Sequence, residues 1–122
     1  MTAARDALRV SPAQIASGNV WVAIAADGSL AGIVALGPGA APDALDLDKL
    51  FIEPRHIGAG FGRILLARAV DAARRRGARR LTILADPHAA GFYERLGARR
   101  IGDAPSDAIP GRSLPLYEIA LG

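Results

Sequence analysis

The chain has 122 residues, 51% hydrophobic and 22% charged, with a formal net charge of +3. That suits a single domain over residues 1–122 with a modest core, and excludes a disordered chain. No cysteine means no disulfide framework and no thiolate metal site. No apolar run approaches the ~18 residues of a membrane span, and no signal-peptide core follows the start, so a cytoplasmic protein with no membrane partner and no metal is expected.

In chain order, Ser11-Pro12-Ala13-Gln14 is a capping box opening a short helix that stops near Gly18. Residues 20–26 (VWVAIAA) and 30–36 (LAGIVAL) are strand-like. Asp27-Gly28 between them predicts a two-residue hairpin turn with both central positions at positive φ. Residues 37–43 form a loop, and a third strand covers 45–52. Over 60–76 the helical period is clear: Phe61, Leu65, Leu66, Ala69, Val70, Ala72 and Ala73 share one half of the wheel. Gly77 ends that helix. Residues 81–85 (LTILA) read as a buried central strand. Asp86-Pro87 caps a second helix running to Leu96, which Gly97 closes. The last two strands fit 98–102 and 116–121, with a Pro/Gly/Ser-rich loop between them. This order predicts an α+β fold, a mixed sheet with helices packed on its faces.

The most informative junction is Gly58-Ala59-Gly60-Phe61-Gly62-Arg63, where a strand gives way to a helix. Glycines let the backbone turn its N–H groups toward an anion, and a helix start adds orphan donors and partial positive charge. A pyrophosphate fits such a site, with Arg55, Arg63 and His56 near enough in sequence to add charge. The spacing lacks the Gly-Lys-Ser/Thr of a Walker loop and the G-x-G-x-x-G of a dinucleotide fingerprint. A turn with no ligand is the alternative. The arginine run at 74–80 reads as a solvated helix end, or as a nucleic-acid contact, which the scarcity of aromatic residues disfavours.

The segment 47–66, with DKLFIEPRHIGAGFGRILL, and the segment 86–97, DPHAAGFYERLG, together resemble the GNAT superfamily of N-acetyltransferases. The first is similar to its pyrophosphate loop and the second to its N-x-x-A-x-x-F-Y-E-K-L-G-F helix, in family order. The tail PSDAIPGRSLPLYEIAL is similar to an ending found in one GNAT subgroup. The resemblance implies a GNAT-like fold with a mixed, mostly antiparallel sheet. It also implies direct transfer of an acetyl group from acetyl-CoA, as cosubstrate, to a primary amine, either a small amine or a peptide N-terminus. Phe51, Ile52, Ile57, Gly58, Ala59, Gly60, Gly62 and Arg63 would hold the CoA, and Tyr93 would be the general acid. Asp46 and Asp48, on one face of the third strand, are candidates for the base or are ordinary solvent-facing residues. Arg112 could meet an acceptor carboxylate. Glu53, His88 and Asp86 are read as surface or capping residues. The sequence departs from the family at Ile57, where Gln or Arg is usual, at Asp86 for Asn, and at His88. It also begins late, so a dimer partner is expected to cover an open sheet edge. CoA binding without turnover is the alternative function.

Overall fold

The computed structural model describes residues 19–106 and 110–122. The capping box at 11–14 and the helix end near Gly18 lie outside the described residues, as do residues 107–109 of the tail motif. The elements are β1 (Val20–Ile24), β2 (Leu30–Pro38), β3 (Ala44–Ile52), a 3₁₀ turn (Pro54–His56), α1 (Phe61–Arg75), β4 (Arg80–Leu84), a second 3₁₀ turn (Pro87–Ala89), α2 (Ala90–Arg95), β5 (Arg99–Pro105) and β6 (Ser113–Ala120). The strands form one mixed sheet in the order β1-β2-β3-β4-β6-β5. Its β3/β4 ladder is parallel, whereas β1/β2, β4/β6 and β5/β6 are antiparallel. Two compact units emerge, one holding the described residues up to Gly37 with Leu47–Ala72, the other Pro38–Asp46 with Ala73–Gly122.

In the first unit the β1–β2 hairpin differs from the two-residue turn expected. Gly28 N–H donates to the Ala25 carbonyl at 2.9 Å and Ala25 N–H to the Ser29 carbonyl at 2.8 Å. Gly28 has φ +86°. This is the three-residue loop in which a left-handed glycine follows the turn. Asp27 stabilises it from its side chain, accepting from Ser29 N–H at 3.0 Å. The apolar run of β2 is buried from Leu30 to Leu36. At Gly32 a Cβ would stand 2.7 Å from the Phe51 carbonyl oxygen and 2.8 Å from Ile52 Cδ1, so close packing demands glycine there. Leu65, Leu66 and Ala69 of α1 are buried as the helical period predicted. The fifteen-residue helix matches the expected 60–76 to within a residue at each end.

In the second unit β4 is the buried strand foreseen at 81–85, with Leu81 and Ile83 fully buried. The end of α1 closes in a Schellman arrangement: Ala78 N–H reaches the Ala73 carbonyl, Gly77 N–H reaches that of Arg74, and Gly77 has φ +81°. Two arginines of the run are bonded within the unit. Arg74 Nε donates to the Leu121 carbonyl at 3.1 Å, and Arg80 pairs with Asp43 at 3.1 Å and Glu118 at 3.7 Å.

Two expectations change here. The helix expected over 86–96 is split into a 3₁₀ turn and the six-residue α2, because Asp86 accepts from His88 N–H at 2.8 Å and tightens the first turn. The last two strands are longer than expected, and their hairpin closes where Ser106 N–H meets the Arg112 carbonyl at 2.7 Å. Pro115 fits inside β6 because its carbonyl still accepts from Ala85 N–H at 2.9 Å. A bulge between Arg100 and Gly102 shifts the β5/β6 register by one residue.

Candidate functional site

The loop after β3 is anchored at its root. Glu53 N–H donates to the Ala31 carbonyl at 2.8 Å, which ties the strand end to β2. The 3₁₀ turn then forms through His56 N–H to the Glu53 carbonyl and Ile57 N–H to that of Pro54. Gly58 and Gly60 follow at φ +89° and +92°, a region costly for any residue with a Cβ. A Cβ at either position would touch nothing within 4 Å, so backbone conformation alone selects glycine and the space beside both is open.

Ala59 N–H is satisfied internally by the His56 carbonyl, and Ile64 N–H by that of Gly60. The N–H groups of Gly58, Gly60, Phe61, Gly62 and Arg63 donate to no carbonyl among the described residues outside the helix. The first turn of α1 contains no acidic residue. A fifteen-residue helix therefore presents its positive end and a row of backbone donors that have no carbonyl partner among the described residues outside the helix, with open space beside Gly58 and Gly60. That donor set suits a phosphate or pyrophosphate. Ile57, 71% exposed, adds no polar group, and Phe51 is also exposed. Ile52 turns toward Gly32, so its side chain is part of the packing. Ala59 and Arg63 are exposed, Arg63 in the first turn of α1.

Arg55 and His56 do not stand free beside this loop, as the sequence suggested. Arg55 pairs with Asp27 at 3.5 Å, and His56 Nε2 lies 3.0 Å from Ser29 Oγ. Neither Asp27 nor Ser29 was singled out from the sequence. Asp27 was read as a turn residue, and only the fold carries the hairpin tip to the loop.

Tyr93 lies on α2, only 7% exposed, its ring edge-on to Phe92 with centroids 5.2 Å apart. Burial pushes its hydroxyl up to about 12 from 10. It therefore keeps its proton through the whole physiological range. The adjacent Glu94 accepts from the Tyr117 hydroxyl, and that bond raises the Tyr117 pKa. The candidate bases differ from each other. Asp46 accepts from Thr82 Oγ1 at 2.8 Å across the β3/β4 ladder. Asp48 is exposed, beside the site where a Gly37 side chain would start, 3.4 Å from its Cβ. His88 is exposed and Asp86 caps the second 3₁₀ turn, both as read from the sequence. Arg112 is exposed at the β5–β6 hairpin, following Gly111 at φ +81°.

A family model described as the acetyltransferase (GNAT) family matches residues 4–98. Over 63 residues the chain is 41% identical to the streptothricin acetyltransferase of Streptomyces lavendulae, covering 52% of this chain and 33% of that protein. The crystal structure of nourseothricin acetyltransferase superposes with a TM-score of 0.75 at 27% identity, over 84% of this chain and 65% of the other. The N-acetylglutamate synthase of Neisseria gonorrhoeae, solved with coenzyme A and N-acetyl-glutamate, shares the fold. Its TM-score is 0.72 at 24% identity, over 93% of this chain and 28% of that one. The chain thus spans about a third of the length of the streptothricin enzyme and 65% of the nourseothricin enzyme.

Proposed function

The chain belongs to the GNAT family of acetyltransferases, and from that premise we propose that it transfers an acetyl group from acetyl-CoA to a primary amine. The observation that carries this reading is the glycine loop at the start of α1, with open backbone donors and no carboxylate among them. Gly58, Gly60, Phe61, Gly62 and Arg63 would hold the pyrophosphate through their N–H groups, and the exposed Arg63 guanidinium adds charge. Phe51, Ile57 and Ala59 would line the way to it, and Ile52, whose side chain packs toward Gly32, would contribute through its backbone.

Acetyl-CoA supplies an activated thioester, so the protein has only to align an amine and manage two protons. As the C–N bond forms and the C–S bond breaks, one proton leaves the amine and one reaches the departing sulfur. Tyr93 is the proton holder on the sulfur side. A pKa of about 12 keeps it protonated, and a hydrogen bond from it stabilises charge developing on sulfur. Asp48 takes the amine proton. Asp46 is the alternative base, its carboxylate accepting from Thr82 Oγ1 at 2.8 Å. Arg112 would receive a carboxylate on the acceptor. The whole chain acts as one domain, in the cytoplasm.

A homodimer is part of the same reading. Among the described residues β1 is an edge strand of the sheet, and Val22 and Ile24 are 36% and 47% exposed. With Trp21, Ile64 and Arg68 they line a groove of about 380 Å³ that a second copy would cover. Analytical ultracentrifugation tests it: a purely monomeric species at micromolar concentration rejects the dimer.

Thermal shift with acetyl-CoA, followed by thiol release on an amine panel that includes streptothricin, tests the activity. Stabilisation together with thiol release supports it. Stabilisation without release on any amine would leave a CoA-binding protein, and no stabilisation at millimolar acetyl-CoA would sink the reading.

A further inference from the structure

We infer that the β1–β2 hairpin tip belongs to the machinery that holds the glycine loop: Asp27 and Ser29 are positioning residues that act on the pyrophosphate site through His56. The inference rests on reading that loop as an acyl-CoA site.

Ser29 Oγ lies 2.6 Å from Asp27 Oδ1 and 3.0 Å from His56 Nε2. A serine hydroxyl has one hydrogen, and a carboxylate can only accept, so that hydrogen goes to Asp27. Ser29 Oγ must then accept from His56, which fixes the hydrogen of the imidazole on Nε2. The direction of the chain is thus His56 to Ser29 to Asp27. This is not a nucleophile triad, because Asp27 binds the serine rather than the histidine and leaves Ser29 without a base to activate it.

His56 is held on a second side. Its ring meets Phe61, the first residue of α1, edge-on with centroids 5.6 Å apart. Its backbone takes part in the loop as well, donating to the Glu53 carbonyl at 2.8 Å and accepting from Ala59 N–H at 3.3 Å. One side chain therefore links the hairpin, the 3₁₀ turn and the helix start. Gly58 and Gly60, the flexible residues carrying open donors, lie between His56 and α1. Ordering such glycines on binding an anion costs conformational entropy, and a fixed His56 reduces that cost.

The carboxylate raises an electrostatic objection, since Asp27 would repel a nearby pyrophosphate. Arg55 answers it: its guanidinium lies 3.5 Å from Asp27 Oδ2, and the Ser29 bonds hold the carboxyl below its ordinary range. The cluster spends its negative charge internally while keeping the loop in place.

The test compares two acyl donors: acetyl-CoA and S-acetylpantetheine, which lacks the nucleotide and pyrophosphate. Ser29→Ala is expected to raise KM for acetyl-CoA roughly fivefold with kcat little changed. It should leave kcat/KM for S-acetylpantetheine unaltered. Asp27→Ala should behave similarly, and Ser29→Thr, which keeps the hydroxyl, should restore the KM. Equal losses with both donors would mean general destabilisation, and no change in KM would mean that the hairpin plays no part; either overturns the inference. Failure of the unaltered protein to bind acetyl-CoA would instead remove the acyl-CoA reading, and this inference with it.

Discussion

The molecule passes twice from a strand through a proline-led 3₁₀ turn into a helix, and the two passages have opposite electrical characters. After β3 the chain makes a 3₁₀ turn at Pro54–His56 and enters α1; after β4 it makes one at Pro87–Ala89 and enters α2. Each turn starts with proline, and each helix ends in a left-handed glycine, Gly77 or Gly97, inside a Schellman arrangement. The difference lies in who satisfies the donors. At the second junction Asp86 accepts from His88 N–H, so the turn neutralises itself and would repel an anion. At the first, Glu53 makes no such bond, and two glycines at positive φ leave N–H groups open ahead of a helix two and a half times longer. A proline-led 3₁₀ turn can thus end as a structural cap, where the helix follows directly and a carboxylate takes the donor, or as an anion site, where residues 57–60 with two left-handed glycines separate turn and helix.

The largest effect should come from the second helix, at its buried hydroxyl. Tyr93→Phe is expected to lower kcat by about 100-fold while KM for acetyl-CoA changes little, as steady-state kinetics would show. The same variant carries a pH signature. The folded pKa of Tyr93 is raised, so below pH 10 both folded and unfolded chains hold the proton and no stability difference arises. Between pH 10 and about 12 the unfolded chain releases it first, so stability falls by about 2–3 kcal/mol over that window. Urea melts across the window should show that loss shrinking in Tyr93→Phe.

Next comes the first junction. Gly60→Asp forces a side chain into the left-handed region and adds the charge that the second junction already carries. Acetyl-CoA binding should weaken about 30-fold by calorimetry, with the circular dichroism spectrum retained. Conversely, Asp86→Ala should cost about 1 kcal/mol of stability and leave acetyl-CoA affinity unchanged, because its carboxylate serves only its own turn. A drop in affinity there would mean that the contrast between the junctions is misdrawn. The smallest change is a gain. Ile57→Arg places a guanidinium where the side chain is already 71% exposed, and should tighten acetyl-CoA binding about threefold, less so at high salt.

The glycine junction was visible in the sequence because its signal is local: Gly58 and Gly60 are required by φ, and no distant contact is involved. The buried side of α1 was legible for the same kind of reason, a period of 3.6 residues written into Leu65, Leu66, Ala69 and Ala73. The turn at Asp27-Gly28 was foreseen as a turn, but its form was not, because a two-residue and a three-residue loop share the same Asp-Gly signal. The extent of β5 and β6 was also missed. Prolines argue against strands, and Pro115 is tolerated only because its carbonyl, not its missing N–H, is the group paired with Ala85.

Composition and periodicity by themselves determined the element types, the glycine-opened helix and the apolar strands, since each depends on residues within a few positions of one another. Tertiary structure alone decided which charges are already spoken for. Arg55 and His56 look like free partners for a phosphate until the hairpin brings Asp27 and Ser29 against them, from 28 residues away for Arg55 and 27 for His56. Asp46 and Asp48 look equivalent until the parallel ladder gives Thr82 to one of them. Hydrogen bonds and ion pairs act over a few ångströms, and only the fold sets which distant residues come within that range.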